Sequence, residues 1–296
     1  MEILRTAAEL ARLDQWRGAG PLVLVPTMGA LHPGHLSLVE TGAALGPVVV
    51  SIFVNPTQFG PGEDLASYPR DLAADLAMLE PLGVKAVFAP EVDQMYGQPG
   101  EVTVQPGSRG QGLCGGDRPG HFSGVLTVVA KLLGLVRPEV AIFGRKDAQQ
   151  CLVIRQMVED LRIPVALVDG PTVREADGLA MSSRNRYLNA EQRVQALCLS
   201  RGLQKARAAL AEGARRREIL LALLLEELGE ADKIEYAEIR QVPDLEETAV
   251  LSGTILLAVA ARVGPARLID NLVLELDEGD VRDGFLMGDP QQWSDR

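Results

Sequence analysis

The stretch VPTMGALHPGH, residues 25–35, decides the fold of this chain. It continues an apolar run that begins at Pro21, and such uninterrupted runs are typical of strands buried on both faces of a sheet. A helix is expected to begin near His35, and Pro33 keeps His32 out of the helical conformation. A strand, a glycine-containing turn and a helix in this order predict a βα unit whose turn lies where open α/β sheets bind ligands.

Similar units follow along the first half of the chain. Apolar runs predict strands over 47–55, 84–90, 139–144 and 164–170, and 3.6-residue periodicity predicts helices over 72–82, 122–136 and 147–160. Residues 101–107 form a further short extended segment. Strands that alternate with helices predict an α/β fold, here a Rossmann-like doubly wound parallel sheet.

The sequence changes character after Asn185. Helical periodicity over 190–211 and 216–228 precedes two strand-like runs, 234–242 and 254–263. These predict a smaller α+β C-terminal domain, so we expect domains over 1–186 and 187–296. The acidic tail from Glu275 onward is expected to fray.

Composition and net charge limit the classes of protein to which this chain can belong. The chain has 296 residues, 47% of them hydrophobic, and a formal net charge of -11, which opposes binding to nucleic acid or to anionic lipid. No run reaches the roughly 18 apolar residues of a membrane span, and the charged N-terminus does not resemble a secretory signal. We therefore expect a cytoplasmic protein whose three widely spaced cysteines are reduced thiols.

The turn after the first predicted strand is a candidate phosphate site. The N-terminus of the following helix offers unpaired N–H groups to an anion, and His32 and His35 can point toward the same oxyanion. Gly29 and Gly34 allow a close approach of the backbone. A zinc pair is the alternative, but His121 is the only other histidine and no cysteine has ligand-like spacing. The His-x-Gly-His pattern alone fits any nucleotidyltransferase-like fold.

Two further segments carry chemistry-bearing residues. GRKDAQQ, residues 144–150, places Lys146 at a strand-to-helix junction, where Asp147 can cap the helix. READGLAMSSRNRYL, residues 174–188, is rich in hydrogen-bond donors that can close over phosphates. Taken singly, the first is more often a solvated surface lysine and the second an ordinary linker.

Two other phosphate-binding patterns fail. Gly110, Gly112 and Gly115 form a G-x-G-x-x-G, but we expect no helix after them, so the dinucleotide-binding context is missing. The sequence contains no Walker A motif.

The segments VPTMGALHPGH, SIFVNPTQF, DRPGHFSGV, FGRKDAQQ and DGLAMSSRN, in this order and spacing, resemble the pantothenate synthetase family over roughly residues 20 to 190. The resemblance implies membership of the superfamily of class I aminoacyl-tRNA synthetases. HPGH then corresponds to a HIGH-like element. MSSRN, residues 181–185, corresponds to a KMSKS-like element that uses serines and Arg184 in place of lysines.

The resemblance also implies an activity and a site. The family condenses (R)-pantoate with β-alanine and splits ATP to AMP and pyrophosphate, usually as a homodimer. Pantoate is expected at Gln58 and Gln150, with Asn55 beside them, and 60–71 resembles a mobile flap. The residues expected to line ATP are Met28, Gly29, Ala30, Leu31, His32, Pro33, Gly34, His35, Gly144, Arg145, Lys146, Asp147, Val173, Met181, Ser182, Ser183 and Arg184.

A mechanism follows as a hypothesis. A carboxylate must attack the α-phosphorus of an anionic nucleotide, so fixed donors and positive charges have to spread the developing charge. We assign this task to His32, His35, Lys146 and Arg184, with His35 as a protonated donor and Mg²⁺ bridging the phosphates. Ser182 and Ser183, with the flap, would exclude water from the acyl-adenylate.

Two rival functions stay open on the sequence. A nucleotidyltransferase acting on a phosphorylated acceptor would use the same histidine element, but its acceptor pocket should present lysine or arginine rather than Gln58 and Gln150. A non-catalytic nucleotide sensor on the same fold would bind ATP without turnover.

Overall fold

The computed structural model describes residues 1–97, 100–277 and 280–288, and their contacts divide the chain into two compact units. The first comprises Met1–Pro171 and the segment from Met287 onward, and the second comprises Thr172–Leu286. The boundary expected after residue 186 lies inside the second unit. The reason is that the Arg174 guanidinium makes a two-bond ion pair with Asp270, which ties 172–186 to the C-terminal fold.

The first unit is built on a six-stranded sheet. Its strands are β1 (Glu2–Leu4), β2 (Val23–Thr27), β3 (Val48–Ile52), β4 (Ala86–Phe88), β5 (Val140–Gly144) and β6 (Ala166–Gly170). Its helices are α1 (Pro33–Leu45), α2 (Leu72–Leu79), α3 (Val92–Tyr96), α4 (Leu113–Asp117), α5 (His121–Val136) and α6 (Ala148–Asp160), and 3₁₀ turns include Pro56–Gln58 and Arg145–Asp147.

The strand order of this sheet places the site. All pairings are parallel and the order is β1-β4-β3-β2-β5-β6, so the chain first builds outward from β2 through β3 and then crosses to β5 on the other side. The carboxyl ends of β2 and β5 therefore form the topological switch point, where open α/β sheets bind ligands. The HPGH turn follows β2, and Lys146 follows β5.

Burial explains why these strands need no alternation of polar and apolar residues. Val23, Val25, Val48 and Val50 form one core cluster with residues of α1 and α2. The intervening residues of β2 and β3 are also buried, and α5 is buried along most of its length. A sheet that is apolar on both sides holds its strand ends in fixed positions, which a site assembled from several strand ends requires.

The second unit is α+β. Helices α7 (Ala190–Ala211) and α8 (Arg217–Leu228) precede an antiparallel sheet of β7 (Lys233–Gln241), β8 (Gly253–Val263), β9 (Ala266–Asp277) and β10 (Asp280–Asp283). The sheet order is β10-β9-β8-β7. Leucines of both helices, such as Leu203 and Leu224, share one core with the buried face of the sheet.

The structure confirms the predicted fold class and corrects details. The tail does not fray at Glu275, because β9 runs to Asp277 and pairs with β10. A short helix, α4, begins at Leu113 within the glycines at 110–115, but the described residues directly before it form no strand, so the dinucleotide-binding context still fails. Strands β1, β9 and β10 were not predicted.

Candidate active site

The turn between β2 and α1 has an open helix N-terminus. His32 is the N-cap with φ −147° and ψ 168°, an extended conformation that agrees with the expected effect of Pro33. The His32 side chain makes no capping hydrogen bond, and Pro33 has no N–H. The N–H groups of His35 and Leu36 already donate to the carbonyl oxygen of His32. The dipole of this 13-residue helix and the N–H of Gly34 are thus what the helix start offers to an anion at the switch point.

A carboxylate from α2 fixes the shape of this turn. Asp75 is 4% exposed and accepts hydrogen bonds from the backbone N–H groups of Ala30, at 3.1 Å, and Leu31, at 2.8 Å. Gly29 has φ +78°, and a Cβ there would lie 2.8 Å from the Asp75 carboxylate. The glycine therefore makes room for Asp75, and the two N–H groups are not available to phosphate. Asp75 was not predicted, because one aspartate in an amphipathic helix does not stand out in the sequence.

The two histidines of the turn lie together. Their ring centroids are 4.0 Å apart with an interplanar angle of 30°. Burial, helped by the charges of His32 and Lys146, lowers the pKa of His35 from 6.5 to about 3. His35 is therefore neutral in the ligand-free protein, because burial and neighbouring positive charge disfavour the imidazolium, and its protonated donor role with ATP bound stays a prediction. Its buried Nδ1 has no hydrogen-bond partner among the described residues.

Lys146 reaches the same place from β5. It lies in the 3₁₀ turn Arg145–Asp147, and its charge contributes to the lowered pKa of His35, so the two side chains are within electrostatic reach. Arg145 differs from its neighbour: its Nε donates to the buried carboxylate of Asp169 at 2.6 Å. Arg145 is thus engaged at the base of the turn. Asp147 is the N-cap of α6, as expected, but its side chain makes no capping bond.

Two adjacent glutamines at the start of α6 have different environments. Gln149 is buried, donates to the carbonyl oxygens of Arg109 and Gly112, and accepts from the N–H of Gly115. Gln149 therefore holds the glycine-rich loop. Gln150 is half-buried, and its side-chain amide makes no hydrogen bond to the other described residues, so this amide is available to a ligand, as its expected substrate-binding role requires.

The turn after β3 carries the other expected substrate residues. Gln58 lies at the end of the 3₁₀ turn Pro56–Gln58, and its Nε2 is 3.1 Å from the sulfur of Met28 in the neighbouring turn. Asn55 is 1% exposed, and both ends of its amide are engaged within the protein. Asn55 therefore supports Gln58 by donating to its Oε1, and the expected contact between Asn55 and substrate stays a prediction.

An ion pair anchors the beginning of the expected flap. Arg118 donates from Nε and Nη2 to the Glu63 carboxylate at 2.7 and 2.5 Å, and from Nη2 to the carbonyl oxygen of Gln58 at 3.3 Å. Burial raises the pKa of Glu63, but the bonds and charge of Arg118 outweigh it, so this pKa lies below its ordinary value. The carboxylate therefore stays ionised at neutral pH and keeps the flap anchored.

The third histidine belongs to this anchor. The Nδ1 of His121 is 2.8 Å from the carbonyl oxygen of Gln58, so Nδ1 carries the proton, and Nε2 accepts from Arg118 at 3.1 Å. Burial, followed by the Arg118 charge, lowers the pKa of His121 to about 4. His121 and Arg118 were visible in the sequence motif DRPGHFSGV, residues 117–125, but the motif did not indicate their task.

The serine-rich segment lies in the second unit. Val173 and Met181 pair through a backbone hydrogen bond, and the Ser182 hydroxyl accepts from the N–H of Arg184 at 3.2 Å. Asn185 donates to the carboxylate of Glu175 and to the carbonyl oxygen of Ala180, which fixes the base of the segment. Ser182, Ser183 and Arg184 are all partly exposed. Their convergence with His32, His35 and Lys146 stays a prediction.

Neither a metal cage nor a membrane-spanning helix occurs within the described ranges. No group of three or more His, Cys, Asp or Glu side chains there is arranged to hold a metal ion. No helix of that part of the chain combines the length and apolar character needed to cross a bilayer.

A parallel sheet with a helix N-terminus, two imidazoles and a lysine at its switch point defines a nucleotide-binding α/β enzyme. Comparison with known proteins makes the assignment specific. The family described as Pantoate-beta-alanine ligase matches residues 2–273. The chain belongs to this family.

Individual relatives agree over nearly the whole chain. Pantothenate synthetase 1 of Bradyrhizobium diazoefficiens is 49% identical over 278 residues, which are 93% of this chain and 98% of that protein. The crystal structure of pantothenate synthetase from Thermus thermophilus has a TM-score of 0.87 at 45% identity, over 92% of this chain and 99% of that one. Pantoate-beta-alanine ligase from Francisella tularensis, complexed with beta-gamma ATP and beta-alanine, has a TM-score of 0.73 at 33% identity and covers 92% and 97%.

Proposed function

We propose that this protein condenses (R)-pantoate with β-alanine in an ATP-dependent reaction that passes through pantoyl-adenylate and releases AMP and pyrophosphate. The observation that carries the proposal is the switch point itself, where the open N-terminus of α1, the stacked pair His32 and His35, and Lys146 lie within electrostatic reach of one another. Family membership and the ATP and beta-alanine complex of the Francisella tularensis relative support the substrates.

The first step joins the carboxylate to the nucleotide. A pantoate oxygen attacks the α-phosphorus, the bond from that phosphorus to the bridging oxygen breaks, and pyrophosphate leaves. Lys146 provides a fixed positive charge, and the imidazoles of His32 and His35 provide N–H donors to phosphoryl oxygens. An arriving triphosphate raises the pKa of His35, because negative charge favours the imidazolium.

The second step forms the amide. The uncharged amine of β-alanine attacks the acyl carbon, the amine loses a proton, and AMP leaves with both electrons of the broken carbon–oxygen bond. No covalent enzyme intermediate is needed. The mixed anhydride hydrolyses if water reaches it, and Ser182, Ser183 and Arg184, together with the anchored loop around Glu63, are the residues we assign to its protection.

Three finer assignments concern the metal ion, the cellular location and the oligomeric state. We assign Mg²⁺ to the nucleotide: it would accompany ATP and neutralise phosphate charge. Cys114, Cys151 and Cys198 are buried free thiols, which supports a cytoplasmic location. The homodimer is carried over from the family resemblance alone.

The decisive experiment is pantoate-dependent exchange of labelled pyrophosphate into ATP in the absence of β-alanine. The proposed function requires exchange that depends on pantoate, and pantothenate plus AMP once β-alanine is added. A nucleotidyltransferase would give a dinucleotide or nucleotide-sugar product with its own acceptor, and a nucleotide sensor would give no exchange. Either result would remove the proposal.

A further inference from the structure

The amide of Asn55 has only one possible orientation. Its oxygen accepts from the backbone N–H of Thr57 at 3.3 Å, and its nitrogen donates to the backbone carbonyl oxygen of Gly124 at 3.2 Å. A backbone N–H can only donate and a carbonyl oxygen can only accept, so exchanging the two ends of the amide would break both bonds.

The orientation of the Asn55 amide fixes the orientation of the Gln58 amide. The same Asn55 nitrogen donates to Oε1 of Gln58 at 3.0 Å, so the carbonyl end of the Gln58 amide is occupied. The NH₂ end is then the free end, and it lies 3.1 Å from the sulfur of Met28. A thioether is a weak acceptor, so an incoming carboxylate or hydroxyl oxygen displaces it readily. Gln58 thus presents donors to its ligand.

One side chain from outside the turn secures this arrangement. The hydroxyl of Tyr96, the last residue of α3, donates to the Asn55 oxygen at 2.6 Å and lies 3.0 Å from the hydroxyl of Thr57. Its ring is held separately by Phe53, with centroids 6.2 Å apart, and by Lys131, whose ammonium is 5.4 Å from the ring centroid. Removing the hydroxyl therefore leaves the ring in place.

We propose that Tyr96 is a positioning residue for substrate selection: through Asn55 it keeps the NH₂ end of Gln58 turned toward the ligand, so that the pocket takes an oxyanion such as a small hydroxy acid. The inference rests on the proposed function, because it requires Gln58 to contact pantoate. It assigns Tyr96 no contact with the reacting atoms.

The test is a double-mutant cycle on pantoate-dependent pyrophosphate exchange. Tyr96→Phe should raise the KM for pantoate by about tenfold, as expected for loosening one buried hydrogen bond, and leave kcat and the KM for ATP within about twofold. In a Gln58→Ala background the same change should have no further effect on the KM for pantoate, because the residue through which Tyr96 acts is gone. Tyr236→Phe in β7 removes an equivalent hydroxyl and should alter none of these values.

The outcomes separate the two proposals. If the wild type shows no pantoate-dependent exchange, the proposed function fails and this inference with it. If the wild type exchanges but Tyr96→Phe keeps its KM for pantoate, or if its effect persists unchanged in the Gln58→Ala background, only the inference is overturned. A purely structural role would lower the melting temperature and leave the KM for pantoate unmoved.

Discussion

Two neighbouring turns of the first unit differ in the charge of the groups that they present to a ligand. The turn after β2 carries His35, which is desolvated and neutral in the ligand-free protein beside His32 and Lys146, and a carboxylate fixes its backbone. The turn after β3 carries Gln58, which a chain of neutral hydrogen bonds orients. The first turn is suited to bind negative charge, because its buried donors are kept from hydrogen bonding with water. The second is built to recognise an oxyanion without adding charge.

The largest expected effect tests the charged side of this comparison. Lys146→Ala should lower the rate of pyrophosphate exchange by about 10²-fold or more, because it removes a preorganised charge at the phosphates. Steady-state kinetics measure the rate, and circular dichroism checks that the variant is folded. Lys85→Ala, an exposed lysine before β4, is the matched control and should retain the wild-type rate. Equal rates for both variants would contradict the proposed mechanism.

A second prediction tests the carboxylate under the first turn. Asp75→Asn places an NH₂ group against a backbone N–H, so at least one of the bonds to Ala30 and Leu31 is lost. We expect kcat/KM for ATP to fall by about tenfold to thirtyfold, since a small displacement of a catalytic turn is costly.

Asp71→Asn is the matched control for this change. Asp71 caps the same helix by accepting from the N–H of Ala74 at 3.0 Å, and asparagine caps equally well. Both variants should be measured over a range of ATP concentrations. If Asp75→Asn behaves like Asp71→Asn, the turn does not depend on the carboxylate.

A third prediction concerns a substitution that displaces the turn after β3 and leaves the turn after β2 in place. At Gly124 in α5, a Cβ would lie 2.3 Å from the carbonyl oxygen of Thr57 and 2.7 Å from the backbone nitrogen of Gln58. Gly124→Ala should therefore shift the turn, raise the KM for pantoate by about tenfold and reduce the free energy of unfolding by about 1–3 kcal/mol. The KM for ATP should change less.

Gly134 provides the control within the same helix. No atom lies within 4 Å of a Cβ added there, so Gly134→Ala should stabilise the protein by up to about 1 kcal/mol through helix propensity. Urea unfolding measures both variants. A Gly124→Ala protein with unchanged KM for pantoate would show that Gln58 tolerates displacement of its turn.

The smallest expected effect is a dependence of the free energy of unfolding on pH, to which a histidine at each of the two turns contributes. The pKa values of His35 and His121 are about 3 and about 4, below the 6.5 of an unperturbed histidine. Between these values and 6.5 the unfolded chain binds more protons, so the stability is fully present above about pH 6.5 and is lost as the pH falls toward 4 and 3.

Each histidine should contribute about 2 kcal/mol of this loss at pH 5. Urea unfolding between pH 7 and pH 5 measures the slope, and His121→Gln should flatten it. A slope in His121→Gln identical to that of the wild type would mean that this imidazole is accessible to protons in the folded state.

Some of the site residues were predicted from the sequence, and others were identified only in the structure. HPGH, Lys146 and Gln58 were predicted because their residue types occur at strand ends in an order that few proteins share, and the structure brings the first two into electrostatic reach. Asp75 and Tyr96 were not predicted, since their tasks depend on which backbone groups they meet across long sequence separations. The neutral state of His35 in the ligand-free protein was not visible in the sequence, because a pKa depends on burial and neighbouring charge, and neither appears in a motif.

The sequence by itself determined the α/β class, the family, most of the helices and the chemical groups that follow β2 and β5, since hydrophobic periodicity and motif chemistry are local properties. Only the tertiary structure decided the strand order that makes β2 and β5 neighbours, the role of Asn55 as a support for Gln58, and the anchoring of Glu63 by Arg118. These features depend on hydrogen bonds and burial between distant segments, and such contacts exist only after the chain has packed.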